Sequence, residues 1–284
     1  MFSSFFYSLT KPLIKSNHLI LPTYKSIKTF FYINLPIWSF SYSLSFLNYN
    51  PFCLLSSEIF KNIFISSTMS HLKKQSTLTK KSSQTPSFFY LLQTSLIKTF
   101  THAFLIYILD FKPASIHPPF FFNFFLFFLS FIAKSFLFEI VFDLFHYSTH
   151  RLLHFSPLLY RNIHKTHHEI VNPIPYSTFH MSILDLLFSY SFPLTISLYV
   201  LPFDFSLLQF YLLITYLTYQ EIGGHIGKIM KPTSSFPQFI WLPKLLGIEL
   251  YAEDHFLHHS KIKCNFSKRF NIWDKIFNTY QPFN

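Results

Sequence analysis

The sequence predicts an all-α integral membrane protein, with four spans in two helical hairpins carrying a cytosolic helical cap that holds a histidine-rich di-metal site. Three observations predict it. Apolar runs of bilayer length recur in a chain that is 50% hydrophobic, 21% aromatic and only 12% charged, which is little charge for a soluble enzyme of 284 residues. Histidines cluster at helical spacing just beyond the ends of those runs. No stretch alternates like a barrel strand, so helices must satisfy the backbone inside lipid.

Residues 1–87 are rich in Ser, Lys and aromatics, with Glu58 their only acid. They read as a basic extension of low order with no catalytic role, holding a possible signal anchor around Phe30–Leu47. Ser66–Ser87 reads as a solvated linker, and the start could be Met1 or Met69. Residues 88–284 read as the membrane catalytic domain. Phe88–Leu109 is its first span, although it carries Lys98 and His102. After Asp110, Lys112 and the Pro118-Pro119 break comes a stronger span, Phe120–Phe142, long enough to cross at about 1.5 Å rise per residue. Lys134 sits near enough to its end for its stem to reach headgroups.

The next apolar region, Ile183–Ile222, is about twice a minimal span, and Leu201-Pro202-Phe203-Asp204 breaks it. It reads as a second hairpin, Ile183–Leu201 and Phe205–Ile222, with Pro193 kinking the first arm. A hairpin returns the chain to the side it left, so histidines before and after it share one face. A single crossing would leave them about 30 Å apart. Arg151, Arg161, Lys165 and most basic residues after Gly227 lie on that side, which the positive-inside rule makes the cytosol. The net charge of +11 thus suits an anionic membrane surface, and no nucleic-acid partner is expected.

The histidines carry the chemistry. His150 and His154 are one helical turn apart, and His164, His167 and His168 repeat at i, i+3, i+4, as do His255, His258 and His259. His180 and His225 stand just before and just after the second hairpin. Ten imidazoles shared by two six-coordinate ions leave roughly one open position on each, room for a bridging water and then dioxygen. Imidazole alone does not choose between iron and zinc. No His-Glu-x-x-His protease motif and no Glu-x-x-His helices of a carboxylate-bridged bundle occur. Asp143, Asp185, Glu221, Glu253 and Asp254 are candidates to orient ligands through the other ring nitrogen. His146 reads as a packing or orienting residue. The four glycines, Gly223, Gly224, Gly227 and Gly247, all lie late in the chain, so no dinucleotide fingerprint precedes the boxes. Electrons from NAD(P)H would therefore need another protein. Cys53 and Cys264 give neither a disulfide framework nor zinc-finger spacing.

Asp143-x3-Tyr147-x2-His150-Arg151-x2-His154, then Tyr160-Arg161-x2-His164-Lys165-x-His167-His168, resembles the fatty acid hydroxylase/sterol desaturase superfamily. So does the closing run His255-x2-His258-His259, Asn265-Phe266 and Trp273-Asp274-Lys275-Ile276-Phe277-x-Thr279. The resemblance covers about residues 120–282. It implies a multi-pass endoplasmic reticulum enzyme with two iron ions that uses O2 to hydroxylate or desaturate a lipid C–H bond. It also implies electrons from NAD(P)H through an external reductase and a cytochrome b5-type donor. The ligands it implies are the eight box histidines with His180 and His225. Sterol-acting members are the nearer match; a sphingoid-base or fatty-acyl hydroxylase is the alternative. The chain departs from the pattern at Met181, at Gly224 and at Asn278, which replaces a glycine. From other classes, a membrane metal transporter and a member keeping its metal only as a structural clip remain as alternatives.

Overall fold

The structure is a computed structural model that describes residues 23–46, 50–71, 86–112, 120–228 and 235–283. The Pro118-Pro119 break, the start at Met1 and most of the linker expected at Ser66–Ser87 lie outside the described residues. Among the described residues there is no strand; one antiparallel bridge joins Glu249 and Phe270.

The part expected to be a low-order extension contains two helices, α1 (Tyr24–Leu44) and α2 (Pro51–His71). They pack onto the rest of the chain through polar residues that resemble surface when read alone. Trp38 Nε1 donates to Tyr216 Oη at 2.9 Å, Tyr216 Oη donates to Asn34 Oδ1, and Asn34 Nδ2 donates to the Pro237 carbonyl at 2.9 Å. Asn62 Nδ2 joins α2 to Ser95 Oγ of α3 (Phe88–Leu109) at 3.0 Å.

α4 (Phe120–Phe155) runs on past Phe142 without a break. Its 36 residues span about 54 Å, well over the ~30 Å hydrocarbon core, so its last turns extend beyond a bilayer-length segment. Phe131, Phe138 and Phe142 face inward and are fully buried, whereas Phe125, Leu126, Leu129 and Leu137 face outward. The helical run 157–168 (α5) follows, then 183–200 (α6), α7 (Leu207–Gly224), α8 (Ala252–Lys261) and α9 (Ile272–Ile276).

Of the four expected spans, two meet the length and apolarity of a crossing helix among the described residues, Asn123–Phe155 and Ile183–Val200. The other two do not, and their polar residues explain why. In α3, Lys98 and His102 are buried and turned toward protein, with Lys98 Nζ 2.6 Å from Glu221 Oε2. α7 is buried continuously from Leu207 to Thr218 and packs on α1, α2 and α8. It is the central helix of the core, and its apolarity is spent on neighbours in the same chain.

Candidate metal centre

The end of α4 puts His150 and His154 on one face. In α5 a π-turn over Tyr160–His164 shifts the register and leads into Lys165–His168. Helix α8 follows the second apolar region and supplies His255, His258 and His259. These elements bring nine of the ten expected ligands into two groups, and within each group the candidate ligand atoms lie within 4.8 Å of one another. The first is His150, His154, His164, His168 and His258; the second is His167, His225, His255 and His259.

Each i, i+3, i+4 triplet straddles both groups. His164 and His168 join the first group and His167 the second, whereas His255 and His259 join the second and His258 the first. The i and i+4 residues lie on one side of a helical stripe and the i+3 residue on the other. The two triplets therefore interlock, each completing the other's group.

The nitrogens fit a cation. Nε2 of His164 lies 3.1 Å from that of His150 and 3.0 Å from that of His168, which is 3.2 Å from His154 Nε2. In the second group the Nε2 atoms of His167 and His225 are 3.3 Å apart, His225 and His255 3.1 Å, and His255 and His259 3.3 Å. Metal–nitrogen bonds of about 2.1 Å give neighbouring ligand atoms separations of about 3.0–3.4 Å. The Nδ1 atoms of His150, His258 and His225 donate to the carbonyls of Phe266, Cys264 and Glu221 at 2.8, 2.7 and 2.8 Å, and that of His164 meets Asp185 Oδ2 at 2.9 Å. Those bonds fix the tautomer and leave a lone pair on Nε2. Burial holds His258 down to about 3 and His225 to about 4, so both rings are neutral at pH 7. Neutral rings with lone pairs aimed at one another repel unless a cation lies between them. His258 Nε2 is itself buried with no hydrogen-bond partner, as suits an atom whose lone pair serves a cation.

His180, the tenth expected ligand, is in neither group. Its Nε2 meets Glu169 Oε2 at 3.2 Å and its ring packs edge-on against Tyr90, with centroids 4.4 Å apart. His146 donates to the Ser189 carbonyl at 2.8 Å and stacks on Phe142.

The acids divide by role. Asp185 touches a grouped imidazole with its carboxylate, at His164 Nδ1. Asp143 accepts instead from the backbone N–H groups of Lys268, Arg269 and Phe270 at 2.7, 3.0 and 3.0 Å. Asp274, which the sequence reading did not single out, accepts from Phe266 N and Ser267 N at 2.8 Å each and from Thr279 Oγ1 at 2.7 Å. Together they pin the loop whose carbonyl at Phe266 holds His150. Glu221 offers its carbonyl to His225, while its carboxylate binds Lys98 and, at 3.0 Å, Lys268. Glu253 and Asp254 are buried in the first turn of α8, where Asp254 Oδ2 accepts from Tyr251 N at 3.0 Å. Asn278 adopts φ 56°, a left-handed conformation that asparagine tolerates, where the family pattern has glycine.

A model of the fatty acid hydroxylase family matches residues 135–279, which contain all nine grouped histidines. The chain is similar to a fatty acid hydroxylase of Lecanicillium sp, 34% identical over 151 residues covering 50% of this chain and 40% of that protein. It is also similar to C-4 methylsterol oxidase of Schizosaccharomyces pombe, 32% identical over 52% of this chain and 47% of the relative. Human cholesterol 25-hydroxylase is 30% identical, covering 49% and 48%. The match thus spans about half the length of each relative or less. No solved structure matches the chain.

Proposed function

The chain belongs to the fatty acid hydroxylase family, and from that premise we propose that it is a membrane-bound, non-haem di-iron oxidoreductase that uses O2 and external electrons to hydroxylate or desaturate a lipid C–H bond. The observation that carries this reading is the pair of converging imidazole groups, five and four strong. Iron held there would supply the electron transfer and dioxygen activation that side chains cannot. The protein's own part is to bind, orient and exclude water. Five imidazoles nearly fill one six-coordinate shell and four leave more of the other open, so the second group is the side where substrate meets the centre. The carbonyls of Phe266, Cys264 and Glu221 and the Asp185 carboxylate fix the rings before any ion arrives, which lowers the reorganisation needed on binding.

A sterol is the substrate class we favour, because two of the three relatives above act by name on sterols. Electrons would come from NAD(P)H through a reductase and a cytochrome b5-type donor. The exposed apolar stripe of α4 supports residence in a membrane. The remaining topology is our proposal: several passes through the endoplasmic reticulum membrane, with the histidines on the cytosolic side. Metal analysis and lipid profiling test the reading together. Two irons per chain and an oxygen- and donor-dependent change in sterols are expected. A change confined to sphingoid bases would move the substrate class, and metal flux into vesicles without any lipid product would replace the enzyme by a transporter. Unchanged lipids on deletion, with the metal still bound and required for folding, would leave a structural clip.

A further inference from the structure

A cavity of about 80 Å³ opens beside the second histidine group, with His225 and His255 in its wall. Its apolar wall includes Met69, Tyr219, Leu250 and Ala252. Met69 does not belong to the stretch matched by the family; it comes from the last turn of α2, in the region read from sequence as an extension. The polar side chains at the cavity already have protein partners. Lys268 Nζ is 3.0 Å from Glu221 Oε1, and Gln220 donates to Glu139 at 3.1 Å and accepts from Arg269 at 3.0 Å. A guest therefore meets apolar surface and two ligand imidazoles, and no unanswered polar group. The size is equally restrictive: a dry cavity of about 150 Å³ holds one benzene ring, so this one holds a few heavy atoms.

Met69 is fixed in place. It packs in one apolar cluster with Ile65, Leu91, Phe179, Ile222 and Ala252. Lys228, three residues after His225, donates to the carbonyls of Met69 and Ser70 at 3.3 and 3.0 Å. That bond caps the end of α2 with a cation, as the helix dipole favours, and ties it to the loop behind the ligand. Gly223 adjoins Met69: a Cβ there would lie 3.6 Å from the Met69 methyl, in ordinary contact and without a clash.

We propose that Met69 sets the depth of the substrate chamber, so that helix α2 contributes to specificity, and that the chamber receives a small apolar end of the lipid beside His225 and His255. This rests on the oxygenase reading above and adds the residue and the part of the substrate concerned.

The test uses the full chain in membranes with two photoactivatable probes, a sterol with a side-chain diazirine and a sphingoid base with a diazirine near its chain end. Adducts are mapped by peptide mass spectrometry. Adducts of one probe on Met69 and Leu250 are expected. Met69→Trp should reduce both labelling and turnover about tenfold or more, the scale of a few misplaced carbons in a pocket, with metal content unchanged. Met69→Ala should admit a bulkier end, and Gly223→Ala should give a smaller loss in the same direction as Met69→Trp. The two small substitutions keep the idea testable if tryptophan disturbs folding. If wild-type protein turns over lipid while all three variants leave labelling and product profile unchanged, the inference fails and the oxygenase reading stands. If wild-type protein with two irons and its donor makes no lipid product, the reading itself fails.

Discussion

The two histidine groups are built from the same helices yet held differently. In the first, three of five rings are anchored through Nδ1, two by carbonyls and one by Asp185, and His258 is completely buried. In the second, His225 is anchored by the Glu221 carbonyl, and His225 and His255 border the cavity. Two rings in each group, His154 and His168 in the first and His167 and His259 in the second, leave a buried Nδ1 without a hydrogen-bond partner, so the difference lies in three anchored rings against one. The difference teaches a division of labour: one group is held more firmly by the fold, and the other has fewer anchors and borders the cavity. Because each triplet contributes to both, the firmer group also positions the other.

Breaking that comparison gives the largest expected effect. His258→Ala removes a ring from the anchored group while standing on the helix that supplies the other group. It should lower bound iron from about two ions per chain to fewer than one and abolish turnover, because both shells lose their geometry. His255→Ala should retain about one ion, held by the intact first group. Elemental analysis of purified protein separates the two, and equal losses would show that the groups do not differ. Next in size, Asp185→Asn removes the charge that orients His164. Carboxylates in this position are worth about 10–100-fold in affinity or activity, so a rise in the iron dissociation constant within that range is expected. No change would move the orienting role to the backbone.

Asp143→Ala tests the loop beneath the anchored group. It strands two buried backbone N–H groups, at Arg269 and Phe270, and a part-buried one at Lys268. Each unsatisfied group costs about 1–3 kcal/mol. A fall of roughly 5–10 °C in the apparent unfolding midpoint of purified protein is expected, with a weaker first iron site. A fall in stability with both iron affinities intact would separate the loop from the site.

The site was legible in the sequence because helical spacing is local information. A pair at i, i+4 or a triplet at i, i+3, i+4 fixes where its rings point before any tertiary contact forms, and each grouped histidine other than His225 belongs to such a box. His180 has no helical companion; it ends a short 3-10 turn, and its neighbours Tyr90 and Glu169 are not readable from spacing. The backbone partners of Asp143 are not readable from spacing either, since they lie more than 120 residues away. Hydropathy likewise recognised apolar helices but not their surroundings. In α4 only 22% of the most apolar window is buried, whereas α7 is enclosed by protein. The hairpin of α1 and α2 was the least legible part. Asn34, Trp38 and Ser41 fall within the stretch read as a possible signal anchor, and their partners Tyr216 and Thr215 lie more than 170 residues on.

The smallest effect concerns the residue that ends α8, the helix that links the two groups. Ile262 sits at φ 67°, a left-handed conformation that a β-branched side chain rarely adopts, and its N–H donates to the carbonyl of His258 at 2.7 Å. That conformation costs about 1–2 kcal/mol for a residue with a Cβ. Glycine would relieve it, but its looser unfolded chain offsets about 0.5–1 kcal/mol. The isoleucine side chain is 36% exposed, so its removal forfeits only part of a full burial term. Ile262→Gly should therefore be near neutral to slightly destabilising, within about 1 kcal/mol, with iron content unchanged. Ile262→Asn keeps a Cβ that tolerates the left-handed region and should fall between the two. A clear loss of stability in the glycine variant, with iron lost from both groups together, would mean that the Ile262 side chain braces α8, and that the second group is held more firmly than its sparse anchoring implies.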